Sequence, residues 1–142
     1  MIRARAFWLF VLLAALVACD QPAPQAPDPR AVLEAIPSAD AAKYNSIHDM
    51  KNWRNPYLIV RPDGVALFDV EDSAEIVLKP DQLLPELAKL PASNWPYGRV
   101  VAATENTVRR SEQDAVAIRR NKGILGGLLD GAHIAVRWVP AT

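Results

Sequence analysis

Thiols, imidazoles, hydroxyls and carboxylates carry most protein chemistry, and this chain spaces few of them usefully. Its single cysteine, Cys19, could be a nucleophile, half of a disulfide, or a covalent attachment point. A nucleophilic thiolate needs an electropositive, partly exposed pocket. Cys19 instead stands between an apolar run and a proline-rich one, in ALVACDQPAPQAPDPR at 15–30. A disulfide needs a second cysteine, so only a bridge between chains would remain. Ser46, His48 and Asp49 hold the residue types of a hydrolytic triad. On one predicted helix, however, positions i, i+2 and i+3 cannot all face one another. His48 therefore reads as a surface or packing histidine, and His133, near Gly131, as a cap or edge residue.

Other groups are weighed the same way. Glu71, Asp72 and Glu75 offer carboxylates for acid/base work or a cation, but spaced through a turn they describe a solvated loop. Arg109, Arg110, Arg119, Arg120 and Lys122 form the one basic concentration. A helix ending near Asn121 would let the last three complement its dipole. A sharper reading makes Arg119, Arg120 and Lys122 a site for anionic cell-wall or lipid head groups. The aromatics Trp53, Tyr57, Trp95, Tyr97 and Trp138 fall at element ends, where they either frame a partner surface or fill gaps between loops and sheet. The chain has no G-x-S-x-G, H-E-x-x-H, C-x-x-C or Walker A motif. GILG at 123–126 matches the G-x-x-G of a KH domain only superficially. No metal site and no cofactor are expected.

The bulk composition bounds the partners. The chain has 142 residues, 51% hydrophobic, with a formal net charge of zero, so one domain is expected and a nucleic-acid partner is not. Arg3 and Arg5 precede a dozen apolar residues, AFWLFVLLAALV at 6–17, the length of a signal-peptide core and short of a membrane span. LVAC at 16–19 then resembles the bacterial lipobox, which implies diacylglycerol on the Cys19 thiol, cleavage before it and acylation of the new amino group. Two or more acyl chains hold a protein stably to a bilayer. Asp20 resembles the inner-membrane retention signal of enterobacterial lipoproteins, so the expected location is lipid-anchored on the periplasmic side, inner membrane favoured. The expected segments are a signal peptide at 1–18, a lipidated, proline-rich linker at 19–30, a helical lead-in at 31–55 and a globular domain at 56–142.

Within the lead-in the pattern predicts helices over 31–36 and 39–53, with Ser38 as N-cap and a docking stripe of Ile47, Met50 and Trp53. PYLIVRPDGVALFDV at 56–70 predicts a β-hairpin, with Gly64 left-handed in a bulge after Arg61-Pro62-Asp63. The hairpin edge is a candidate surface for a peptide or a second copy of the domain. A short strand over 75–78 follows. KPDQLLPELAKL predicts a helix capped by Asp81, with Pro85 as its fourth residue and Leu83, Leu87 and Leu90 on one face beside Leu84 and Ala88. RVVAAT at 99–104 reads as a buried strand. Ser111 opens a capping box for a helix with Ala115, Ile118, Leu125 and Leu129 inward, kinked or ended by Gly123 or Gly126-Gly127. HIAVRWV at 133–139 closes the series. The sum is an α+β two-layer sandwich, a hairpin followed by β-α-β-α-β, with two helices on one face of a small mixed sheet.

This order resembles the periplasmic domain of the ExbD/TolR family of motor-associated proteins, on IVRPDGVALF, LKPDQLLPELAKL, RVVAAT, the helix from Ser111 and HIAVRWV, over about residues 57–139. Members of that family carry a transmembrane helix with a proton-coupling aspartate. The apolar run at 6–17 has no acid, so no direct use of a proton gradient is expected here. The resemblance implies a noncatalytic binding or assembly module of the cell envelope, engaging an envelope protein or itself. The alternatives are a peptidoglycan-binding protein using the Arg119 cluster, and an enzyme or accessory subunit using carboxylates such as Glu71 or Glu105.

Overall fold

The computed structural model describes residues 24–69, 73–106, 108 and 111–140. Cys19, the signal segment and the start of the linker lie outside them, as do Glu71, Asp72, Arg109 and Arg110. Helix α1 (Pro29–Glu34) begins two residues before the expected start, because Asp28 accepts from the Arg30 amide (3.0 Å) and Pro29 suits the first helical position. Asp40, not Ser38, caps α2 (Ala41–Tyr44), which stops after four residues. The helix expected over 39–53 does not continue because Asn45, Ser46, Asp49 and Asn52 compete with it for backbone hydrogen bonds. Asp49 instead caps a short 3-10 turn, Met50–Asn52, accepting from the Lys51 amide. The docking stripe survives this change: Ile47, Met50 and Trp53 meet in one apolar cluster.

The hairpin forms from β1 (Tyr57–Arg61) and β2 (Gly64–Asp69), with Arg61 opposite Gly64 and only Pro62 and Asp63 between them. Its register runs unbroken, so the expected bulge is absent. Gly64 has a φ of 152°, not the expected left-handed turn conformation, and a Cβ there would lie 2.5 Å from the carbonyl oxygen of Leu78 on the next strand, so the position requires glycine. That strand, β3 (Ala74–Leu78), runs antiparallel to β2. Helix α3 (Pro80–Lys89) leads to β4 (Val100–Glu105), parallel to β1, and α4 (Glu112–Gly131) leads to β5 (Ala135–Trp138), parallel to β4. The single sheet has the order β3-β2-β1-β4-β5, and both long helices lie on one face of it, as the sequence predicts.

Helix α3 starts at Pro80, with the Lys79 amide donating to Gln82 Oε1 (2.9 Å). Asp81 is therefore in its first turn, and Pro85 is the sixth helical residue, not the fourth, so the bond to the Asp81 carbonyl is lost. Burial of Leu83, Leu84 and Leu87 outweighs that loss at roughly 2 kcal/mol each. Helix α4 opens on reciprocal bonds between Ser111 and Asp114 and runs straight through Gly123, Gly126 and Gly127. It ends where the His133 amide reaches the Asp130 carbonyl and the Ile134 amide reaches Leu129, with His133 left-handed (φ 55°). Its inward stripe contains a polar residue, Asn121, whose Nδ2 donates to the carbonyls of Arg61 (2.8 Å) and Pro62 (3.3 Å) and holds the hairpin turn.

Leu58, Val60, Val65, Leu67, Val101 and Ala103 alternate onto the helical face, where Leu33 of α1 and Trp95 join the core. Val100 and Ala102 point the other way, against Trp53, Tyr44, Ile47, Met50 and Tyr97. The lead-in thus straddles the sheet, with α1 packed on α3 and residues 39–53 across the opposite face. The crossing occurs at residues 37–38, where the Arg99 amide donates to the Pro37 carbonyl (2.8 Å) and Ser38 bridges to Arg99. Gly98 (φ 77°) lies beneath, where any Cβ would collide with the Pro37 and Ser38 carbonyls. Asn55, 3% exposed, locks this end: its Nδ2 donates to the carbonyls of Gly98 and Val100 (both 2.7 Å), and its Oδ1 accepts from the Tyr97 amide (3.0 Å).

Two outcomes follow for stability. Asn55→Ala removes bonds to three backbone groups, of which the Gly98 carbonyl still accepts from the Val100 amide (2.8 Å), and should cost about 2–4 kcal/mol in a urea titration. Gly123→Ala and Gly127→Ala should each add up to about 1 kcal/mol in the same assay, since a Cβ at either position meets nothing within 4 Å.

Candidate interaction surface

The hairpin strands are interior, so the edge expected of the hairpin is supplied by β3 instead. Residues 74–77 of β3 are all exposed, with Ile76 at 52% and Val77 at 42%. The register places Ile76 on the helical face opposite Leu67, beyond the cover of the helices, and Val77 on the other face opposite Ala66. Natural sheets blunt their edges with lysine, proline, bulges or inward-pointing charges. Strand β3, AEIVL, has neither lysine nor proline and pairs with β2 without a bulge.

Its one charge, Glu75, is engaged across the sheet. Arg61 Nη1 donates to Glu75 Oε2 (2.6 Å) and Arg61 Nε to Asp63 Oδ1 (3.1 Å). From β1 to β3 the guanidinium passes over Ala66, which lies between them and is fully buried. The hydrogen bonds from Arg61 to Glu75 first, then to Asp63, raise the Arg61 pKa above its ordinary value, so the guanidinium of this strap stays charged. Both side chains are about one-third exposed, so the strap contributes at most about 1 kcal/mol. Beside it Tyr57 and Phe68 meet edge to face, with ring centroids 6.1 Å apart.

Of the five aromatics expected to frame a partner, Trp53, Tyr57 and Tyr97 meet in one apolar cluster while Trp95 and Trp138 lie elsewhere, and two of the five are corrected outright. Trp53 (1% exposed) is buried between Tyr44 and Tyr97, and its Nε1 donates to the Pro56 carbonyl. Trp95 (4% exposed) is in the helical-face core. Both bury large apolar areas where loops meet the sheet, the packing alternative. Tyr97 is half-buried and donates to the Asn52 carbonyl. Trp138 stands at the end of β5 under Lys122, whose Nζ is 4.5 Å above its ring. Tyr57 alone borders the exposed sheet face near β3.

The basic cluster is also dispersed. Arg119, Arg120 and Lys122 are mid-helix, so they do not complement a dipole end. Arg119 pairs with Glu112 (3.2 Å) and Lys122 with Glu105 (2.8 Å), while Arg120 projects about 100° around the helix from Arg119. No shared anion site results. An open groove of about 610 Å³ is lined by His48, Asp49, Met50, Lys51, Tyr57 and Pro140. Another, of about 270 Å³, lies between the hairpin turn and the start of α4, beside Arg61, Asn106 and Asp114. Ser46, His48 and Asp49 are not on a helix, and no hydrogen bond links them. Among the described residues no three His, Cys, Asp or Glu side chains are grouped to hold a metal.

Sequence reading missed the edge position of Ile76 and Val77. Its only signal was the absence of lysine and proline from AEIVL, since strand order is not written in periodicity.

Burial raises the Tyr57 phenol pKa above 10; the nearby Thr104 hydroxyl, lacking full hydrogen-bond geometry, offsets this only in part. The folded chain therefore keeps a proton that the unfolded chain releases. That stabilisation is full below the unfolded pKa and is lost as pH rises through the folded one. Between about pH 9 and 11 the urea midpoint should fall more steeply for the parent than for Tyr57→Phe.

No family model matches the chain, and no curated protein or solved structure matches it either.

Proposed function

We propose that this chain is an envelope lipoprotein, tethered through Cys19 to the periplasmic side of a membrane, inner membrane favoured by Asp20. Its domain is a noncatalytic binding or assembly module that offers the edge of β3 to a protein partner. The observation that carries the reading is the edge itself: four successive exposed residues, two of them large and apolar, with no lysine, proline or bulge within the strand. Main-chain bonds to an added strand would supply affinity, and Ile76 and Val77 on opposite faces would supply selectivity.

Further support comes from the layout. The element order matches what the ExbD/TolR resemblance implies, from the hairpin to β5. No helix among the described residues is long and apolar enough to cross a membrane.

The test uses the whole chain in cells. Cys19→Ala should abolish labelling by radioactive palmitate and release the protein from membranes. A photoreactive residue at position 76 should cross-link to a protein partner, and Ile76→Lys, which places a charge on the edge, should remove cross-links made from position 74. Unchanged cross-linking in Ile76→Lys would overturn the edge as the binding surface.

A further inference from the structure

We propose that the groove between the lead-in and the sheet is a binding site for a small organic carboxylate. The site is separate from the β3 edge, which lies two strands beyond β1 on the other side.

Sheet order fixes what lies at the bottom of the groove. Tyr57 on one side belongs to β1 and Pro140 on the other follows β5, and these two strands are the neighbours of β4. Tyr57 is paired with Ala102 and Trp138 with Ala103, so the next residue of β4 to face the same side as Tyr57 is Thr104. Thr104 is 8% exposed, and its hydroxyl has no hydrogen-bond partner among the described residues. A buried hydroxyl left unpaired is destabilising. The Thr104 hydroxyl lowers the Tyr57 pKa against the larger effect of burial, as a donor aimed at the phenolic oxygen does, yet the two do not reach bonding geometry. An oxygen acceptor in the groove resolves both groups at once. It takes the proton of Tyr57, and the phenolic oxygen then accepts from Thr104, each bond polarising the next.

The rim supplies the charge. Lys51 and His48 line the groove and have no acid partner among the described residues, while Asp49 commits its Oδ1 to the Lys51 amide (2.9 Å). Met50, Pro140 and the ring of Tyr57 make the sides apolar. Two hydroxyls at the floor, an ammonium at the rim and apolar sides suit a carboxylate on a compact apolar body. A phosphate would leave most of its oxygens without donors. At about 610 Å³ the groove has the size of small-molecule sites, which run from about 300 to 1,000 Å³.

The test is ligand-observed NMR on the whole chain in lipid nanodiscs, with 4-phenylbutyrate as the probe and empty nanodiscs as background. The carboxylate should bind at least about fivefold more tightly than 4-phenylbutyramide, since hydrogen bonds to a charged acceptor are the stronger ones. Tyr57→Phe should weaken it at least about tenfold, the loss of a direct bond to a charged group, and Thr104→Val about fivefold, the loss of a neutral one. Thr104→Val should also raise the urea midpoint of the ligand-free protein, because it removes an unpaired hydroxyl; a purely structural hydroxyl would change the midpoint and leave binding alone. Lys51→Gln should weaken binding about two- to fivefold, as an exposed charge does, and Lys89→Gln on α3 should leave it unchanged. Three results each overturn the proposal: probe signals no stronger than with empty nanodiscs, the amide or 4-phenylbutylamine binding as tightly as the carboxylate, or parent-like binding in both Tyr57→Phe and Thr104→Val.

Discussion

The amide of Asn55 is the point on which the rest of the fold hangs. Two parallel strands cannot be joined by a tight turn, so β1 and β4, separated by β2, β3 and α3, need something to align their starts. One buried side chain does this with three bonds, to Gly98, Val100 and Tyr97. Hydrogen bonds in a buried site are strong because water does not compete, and the same absence of water makes each of them costly to lose. The loop that Asn55 fixes also carries Gly98 and Arg99, on which the lead-in crosses. Strand alignment and lead-in docking are thus one constraint.

Arg137 extends that constraint to the last strand. Its guanidinium donates to the carbonyls of Tyr44 and Ile47 and lies over the rings of Tyr44 (5.9 Å) and Trp53 (5.7 Å). A planar cation that stacks and forks at once suits carbonyls left over where a helix has stopped early. The short α2 and the irregular stretch after it therefore need β5 for their shape, and β5 acquires a cover on the face that the long helices do not reach.

Legibility in the sequence divided along local and non-local lines. The hairpin, the α3 leucines and the Ser111 capping box were readable because each is written within ten residues. The glycines of α4 were misread as an end because propensity alone weighs about 1 kcal/mol per glycine, less than the burial of Ile118, Leu125 and Leu129 along the same helix. Trp53 and Trp95 were offered as surface residues because aromatic side chains at element ends serve both purposes, and only the path of the lead-in separates them. Asn55, Asn121 and Arg137 were missed for a related reason: their partners lie 42 to 93 residues away. The exposed edge was unreadable in the same sense, since an edge is defined by which strand has no neighbour.

The crossing at residues 37–38 has a mechanical meaning. A pull on the chain ahead of Pro29 reaches α1 first, on the helical face, and then the bridge between Ser38 and Arg99. That bridge is parallel to β4, so the load meets its hydrogen bonds in shear, all at once, and does not peel them one by one. Because the following residues grip the other face through Tyr44 and Ile47, tension is shared by both sides of the sheet like a strap passed around a board. The sheet can bear strain where the lead-in crosses it while β3, two strands beyond β1, lies away from the load.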